Sequence, residues 1–276
     1  MSGSILPLGG LPLGGDTPWL GGLVTARAIC LLAPNPSPMT LDGTNTWILA
    51  EPDSGSVFVV DPGPDDLDHL GSIVAATAGR RVAQILLTHG HSDHSDGARR
   101  LADLTGAPVA ALDPMYRYGS EGLQGGMILD VDGLVVEIIA TPGHTADSLS
   151  FHLVADGAVL TGDTVLGRGS TLVVPPDGRL GDYLESLVRI GALIESTGSS
   201  WILPGHGPAL ADPLAAVAGY LAHRHSRLEQ VRGALRAGAV TADEIVAMVY
   251  ADTPPQLWPA ARMSVTAQLD YLHETN

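Results

Sequence analysis

Five times along this 276-residue chain a short apolar run ends, and a histidine or aspartate stands at or just past its end. "SVFVVDPG" delivers Asp61, "QILLTHGHSDH" delivers His89, His91, Asp93 and His94, "VVEIIATPGH" delivers His144, "AVLTGD" delivers Asp163 and "WILPGH" delivers His206. Short apolar runs bounded by turn residues read as buried strands. Loops leaving one edge of a rigid sheet are where polar side chains from distant parts of a chain converge. The fold must therefore end several strands at one edge, with the donors gathered there.

The remaining pattern fits that demand. "TARAICLL", "TWILA", "SVFVVD", "VAQILLTHG" and "APVAAL" read as strands. "MILDVDGLVVEIIATPG" reads as a hairpin with Asp132-Gly133 at its tip, and "SLSFHLV" with "AVLTGD" as a second one. Helical spacing appears in "DLDHLGSIVAATAG", with Leu67, Leu70, Ile73 and Val74 on one face and Gly79 as a stop. It appears again in "SDGARRLADLTG" and "LGDYLESLVRIGALIEST". Two β-rich halves, each carrying helices, predict an α/β fold of four layers, an αββα sandwich. This core is expected over residues 23–209, after a low-complexity lead-in at 1–22 with "LPLGG" in tandem. From 210 to 276 the chain turns helical, and a small subdomain is expected. Asp212 caps a long helix with Pro213 at its first position, Thr241 and Glu244 form a capping box, and Pro259 lies near the start of a last helix.

Composition narrows the partners. A formal charge of −16, with 14 cationic side chains that are all arginine, disfavours duplex DNA. No apolar stretch approaches the roughly 20 residues needed to span a bilayer, so no membrane partner is expected. The opening "MSGSILPLGGLPLGG" lacks the basic start and continuous apolar stretch of a signal peptide, and the single Cys30 fits a reducing compartment. A cytoplasmic location is expected.

The donors at the strand ends are imidazoles and carboxylates with no thiolate, a set suited to Zn²⁺, with Mn²⁺, Fe²⁺ or Co²⁺ as alternatives. Seven of them (His89, His91, Asp93, His94, His144, Asp163 and His206) exceed the four that one tetrahedral zinc takes, so two ions per chain fit better. Two such ions share a water and lower its pKa toward about 7. The expected enzyme is a metal-dependent hydrolase that attacks with a metal-bridging hydroxide and needs no serine or cysteine nucleophile.

"THGHSDHSDG" resembles the T-H-x-H-x-D-H motif of the metallo-β-lactamase-fold hydrolases, and "VVDPG", "TPGHT", "TGD" and "PGHG" resemble that superfamily's other motifs in the same order. The resemblance implies the metallo-β-lactamase fold and a division of ligands. His89, His91 and His144 would hold one ion, Asp93, His94 and His206 the other, and Asp163 would bridge. It implies catalytic roles for Asp93 and for Asp61, the latter by holding a ligand imidazole in its tautomer. Beyond the ligands the chain is similar to the beta-lactamase-like protein 2 subgroup. The marks are "NPSPMTLDGTNTWIL", "TGDTVLGRGST", "DYLESL", "PGHGPALADP", "HRHSRLEQV" and "TADEIVAMVYADTPPQLWPAA". That likeness implies a winged-helix-like C-terminal subdomain packed beside the active site.

The substrate is ranked rather than fixed. An ester, thioester or amide-like bond in a small or carrier-bound molecule stands slightly ahead of single-stranded RNA, which an endoribonuclease would cleave on the same site. An iron-dependent persulfide dioxygenase and a non-catalytic, metal-stabilised binding module stand further back. An RNA groove would draw on Arg224, Arg227, Arg232, Arg236 and Arg262, though a solvated helix face explains them better. Arg168, Ser170 and Thr171 are candidate substrate contacts because they leave the strand end that carries Asp163, and Asn45, in a "GTNTW" stretch between strands, is a further candidate against a plain hairpin turn. His69, on the wet side of its helix, His152 and His273 are expected at the surface. His223 and Arg224 are expected to pair structurally between core and tail, and Cys30 to be a small buried hydrophobe.

Overall fold

A computed structural model describes residues 17–275, so the lead-in expected at 1–22 lies outside the described residues as far as residue 16. Six strands form one sheet in chain order: β1 (Gly22–Leu23), β2 (Ala28–Leu32), β3 (Asn45–Leu49), β4 (Ser56–Val60), β5 (Arg81–Leu86) and β6 (Val109–Ala110). The second sheet runs in reverse, from β11 (Trp201–Pro204) through β10 (Ala158–Gly162), β9 (Leu149–Leu153) and β8 (Leu134–Ala140) to β7 (Ile128–Val131). Asp132 and Gly133 both take positive φ (52° and 89°), the geometry a two-residue hairpin requires.

Alternation along each strand builds the layers. Trp47, Leu49, Phe58, Val60 and Leu86 face inward and meet Phe151, Leu153 and Leu160 of the other sheet. Their neighbours Ile48, Val57, Val59 and Ile85 face outward, onto α1 (Leu67–Ala76) and α3 (Ala98–Thr105). Outside the second sheet, Val159 and Ile202 pack against α4 (Leu180–Thr197), and the same cluster continues into α5 (Pro213–Arg236), α6 (Ala242–Val249) and α7 (Trp258–Thr275). The central strands are buried on both faces, which is why they read as unbroken apolar runs. Each fully buried large side chain contributes about 1.5–3 kcal/mol.

The helix boundaries follow their caps. Asp212 accepts from the Ala215 amide, and the Thr241–Glu244 capping box is closed in both directions. α1 differs from its sequence reading. Leu67 and Val74 are exposed, whereas His69 is buried with Leu70 and Ile73. The helix is rotated toward His69 because the imidazole bonds Thr46 Oγ1 at 2.9 Å. His152 is also buried rather than at the surface, with Nδ1 2.8 Å from Glu137 and Nε2 3.3 Å from Ser199. His273 is exposed, and Cys30 lies buried with burial pushing its thiol up to about 12.

Three connections cross over to a parallel neighbour: β4 to β5 through α1, β5 to β6 through the short α2 (Ser92–Ser95) and α3, and β10 to β11 through α4. Parallel strands present their carboxyl ends at one edge, where open α/β sheets bind ligands. That edge carries the loops after β4, β5, β8, β10 and β11.

Candidate metal centre

All seven expected donors meet at this edge. His89 Nε2 and His144 Nε2 lie 3.1 and 3.0 Å from His91 Nδ1. On the other side, His206 Nε2 is 3.2 Å from Asp93 Oδ2 and 3.3 Å from His94 Nε2. Asp163 stands between the two groups, with Oδ2 3.6 Å from His144 and 3.4 Å from His206, and Oδ1 3.4 Å from His94. Within each of three sets (His89, His91, His144; His89, His94, Asp163; Asp93, His94, His206) the donor atoms lie within 4.8 Å of one another.

The layer behind the donors fixes their tautomers. Thr88 Oγ1 donates to Asp61 Oδ2 at 2.6 Å, so it must accept from His89 Nδ1 at 3.0 Å. His94 Nδ1 faces the same Asp61 oxygen at 2.9 Å, His144 Nδ1 faces the Leu172 carbonyl at 2.8 Å, and His206 Nδ1 faces the Gly43 carbonyl at 3.1 Å. Each acceptor requires the proton on Nδ1, which leaves four Nε2 lone pairs aimed inward. His91 presents Nδ1 to them. Ring nitrogens 3.0–3.3 Å apart need a proton or a metal cation among them to avoid lone-pair repulsion, and Asp163 Oδ1 is buried there without a hydrogen-bond partner. This donor chemistry fits divalent metal.

Electrostatics show where the centre draws positive charge, which protons on His94 and His206 supply when no metal does. Burial, with His94 and His144 adjacent, holds His89 well below the usual imidazole range, so it is neutral. Burial likewise lowers His144. Burial opposes charge on His206 and His94 too, but Asp163 with Asp93 carries His206 up to about 9, and Asp163 with Asp61 raises His94. These carboxylates draw positive charge to the point between the two groups. Against the cost of burial, His206 and His94 hold Asp163 well below the usual carboxylate range.

Backbone geometry packs the cluster tightly. A Cβ on Gly205 would stand 2.5 Å from Asp163 Oδ1 and 2.8 Å from His94, so only glycine fits. Asp61 itself has φ 51°, a left-handed conformation held by two bonds from Thr88 and by Thr46 Oγ1 donating to its carbonyl. Because Thr46 Oγ1 donates there, it must accept from His69 Nε2. His69 thus props the turn that carries Asp61. Asp61 is buried behind His94, not at the edge of the cleft.

Two cavities open from the cluster, and both are walled by His144 and Asp163. One, of about 350 Å³, lies beside Val174, Pro175 and Asp177. The other, of about 330 Å³, runs under α7. Arg168, Ser170 and Thr171 line the second. Asn45, expected near substrate, lies instead beneath the cluster. Its Nδ2 donates to the Pro204 and Gly207 carbonyls, and its Oδ1 accepts from Trp19 at 2.8 Å. It anchors the loop that carries His206. Arg224 is buried rather than solvated; its Nη2 donates to the Thr171 carbonyl, and its Cζ lies 4.8 Å from the Tyr183 ring centroid. Thr88 was absent from the sequence reading, although its place in the "THGH" motif marks it.

This fold and this cluster define a class. Residues 39–206 match the metallo-beta-lactamase superfamily and residues 241–275 the beta-lactamase associated winged helix domain, and the chain belongs to that superfamily. Among its relatives, a beta-lactamase-like protein 2 homolog of Caenorhabditis elegans is 32% identical over 235 residues, covering 81% of this chain and 76% of the relative. An atrochrysone carboxyl ACP thioesterase of Aspergillus chevalieri is 31% identical over 243 residues, covering 84% and 75%. A beta-lactamase domain protein of Burkholderia ambifaria has the same fold, with TM-score 0.78 at 24% identity over 96% of this chain and 91% of that one. Among the described residues no helix is long and apolar enough to cross a membrane.

Proposed function

We propose that the chain is a di-metal hydrolase acting on a thioester, with a carrier-bound acyl group as the substrate class. The observation that carries the reading is the convergence of five imidazoles and two carboxylates on one centre, with the Nδ1 protons of four of the imidazoles held on the far side. The proposed ligand sets are His89, His91 and His144 for one ion and Asp93, His94 and His206 for the other, with Asp163 shared; zinc is the metal proposed. Divalent ions held there supply an electrophile for the scissile carbonyl and water in a reactive form at neutral pH.

The chain's own groups do the rest. Asp61 and Thr88 keep His94 and His89 in the tautomer that faces inward. Asp93 keeps 28% of its side chain exposed, against 12% for Asp163, so it is the carboxylate placed to accept a proton from incoming water. A thiolate leaves near neutral pH without a proton donor, its conjugate acid having a pKa of about 8.5, whereas an amide nitrogen needs one. Leu172 and Met39, shared by both cavities, set apolar side chains beside the cluster. The thioesterase name of an Aspergillus relative at 31% identity supports this choice over other acyl bonds.

Elemental analysis and turnover on one preparation test it, using octanoyl-N-acetylcysteamine, a chromogenic β-lactam and labelled single-stranded RNA. Two zinc ions per chain and thioester turnover abolished by Asp163→Ala are expected. RNA cleavage with no thioester turnover would overturn the substrate class, and a single iron with no hydrolysis would overturn the reaction.

A further inference from the structure

Because His144 and Asp163 wall both cavities, a bond seated at the cluster has room for one half of the substrate on either side. The two sides are chemically unlike. The cavity under α7 has an apolar wall that includes Leu41, Leu166, Leu257 and Ala261. Into that wall α5 sets Arg224 and Arg227, one helical turn apart.

Neither arginine has a carboxylate within 4 Å among the described residues, although the chain carries 30 acidic side chains. Arg224 is only 6% exposed. One Nη bonds the Thr171 carbonyl, and its Nε is buried with no hydrogen-bond partner. Arg227 stacks its Cζ 4.5 Å from the Tyr250 ring centroid and donates to the Val249 carbonyl. In the same cavity Ser170 Oγ and Arg168 Nη1 are also buried without partners, while Arg168 Nη2 pairs with Asp42. A buried guanidinium without a counter-ion and with an idle donor is costly unless a ligand completes it. Arginine's planar donor fork matches a carboxylate.

We infer that the cavity under α7 is the acyl chamber and that it selects acyl groups which are largely apolar but carry a carboxylate of their own, bound by Arg224 and Arg227. The thiol half of the substrate lies in the cleft beside Pro175. The assignment rests on the thioester reading for the direction in which the substrate lies, but the recognition of the carboxylate is testable apart from catalysis.

Octanoate and suberate share eight carbons and one carboxylate and differ by a second carboxylate at the far end. Isothermal titration of the metal-loaded protein should show suberate binding about tenfold tighter than octanoate, a difference of about 1.4 kcal/mol. Arg227→Gln, at a half-buried position, should shrink that ratio several-fold, and Arg224→Gln should remove it. Arg224→Lys should restore part of it; if Arg224→Gln fails to fold, the Lys variant and Arg227→Gln carry the comparison. Equal affinity for the two acids in the folded wild type would overturn the inference even if octanoyl and suberyl thioesters were both hydrolysed. A suberate preference lost in the arginine variants, in a protein that hydrolyses neither thioester, would uphold the chamber and overturn the reaction.

Discussion

The cluster at the strand ends and the chamber under the tail share two walls but are built on opposite principles. In the cluster nearly every polar atom is engaged from behind, and what remains free points inward. In the chamber the surroundings are mostly apolar, and single polar atoms of Arg168, Ser170 and Arg224 stand idle. In the proposed reading one region is a scaffold for ions and the other a chamber for the acyl group. Pre-organisation suits the reacting centre, where small displacements are costly, and an apolar cavity with few donors suits discrimination among substrates.

If the regions are separable, changes at the cluster should remove chemistry and metal and leave the chamber intact. Asp163→Ala should show the largest effect, lowering kcat/KM by at least about a thousandfold and reducing metal content, because it removes the donor that both proposed ion sites share. Stripping the metal with a chelator should lower Tm, since an ion that binds only the folded state stabilises it by mass action. Suberate should retain a measurable share of its affinity for the stripped protein through the arginines, and complete loss would show that the regions act as one.

Gly205→Ala should follow in size. Its methyl would press on Asp163 and His94, destabilising the fold by about 1–3 kcal/mol and expelling metal, both read from thermal melts with and without zinc. Thr88→Val should weaken metal binding by about 10–100-fold with little change of fold, because it frees His89 from its tautomer. In the chamber, Ala260→Phe, at a half-buried position in the wall, should lower affinity for octanoate several-fold and leave two ions bound. Metal loss in that variant would break the contrast.

Much of the scaffold was legible in the chain. Continuous apolar runs marked strands buried on both faces, Asp132-Gly133 marked a hairpin, and Asp212 and the Thr241–Glu244 pair marked helix starts. His69 and His152 are buried against the sequence expectation for the same reason. Helical phase or strand position places a polar residue on a face, but whether that face is wet depends on a partner far away in sequence, here Thr46, Glu137 and Ser199. Asn45 opens β3 beside the loop that carries His206, where a true wall residue could also stand. Only the return of Pro204 and Gly207 beside it turned its amide into an anchor.

By itself the sequence determined which side chains could bind metal and that they would stand at strand ends, because donor chemistry and the two-residue strand period are local properties. It also determined the helical tail, whose caps lie within a few residues of what they cap. Tertiary structure alone decided which nitrogen of each histidine faces the centre, since the opposing acceptors on Asp61, Leu172 and Gly43 come from other loops. It likewise decided that Arg224, on a helix that reads as solvated, is buried beside the cluster. A buried charge is defined by what surrounds it, and the Thr171 carbonyl and Tyr183 ring that hold Arg224 lie more than 40 positions away along the chain.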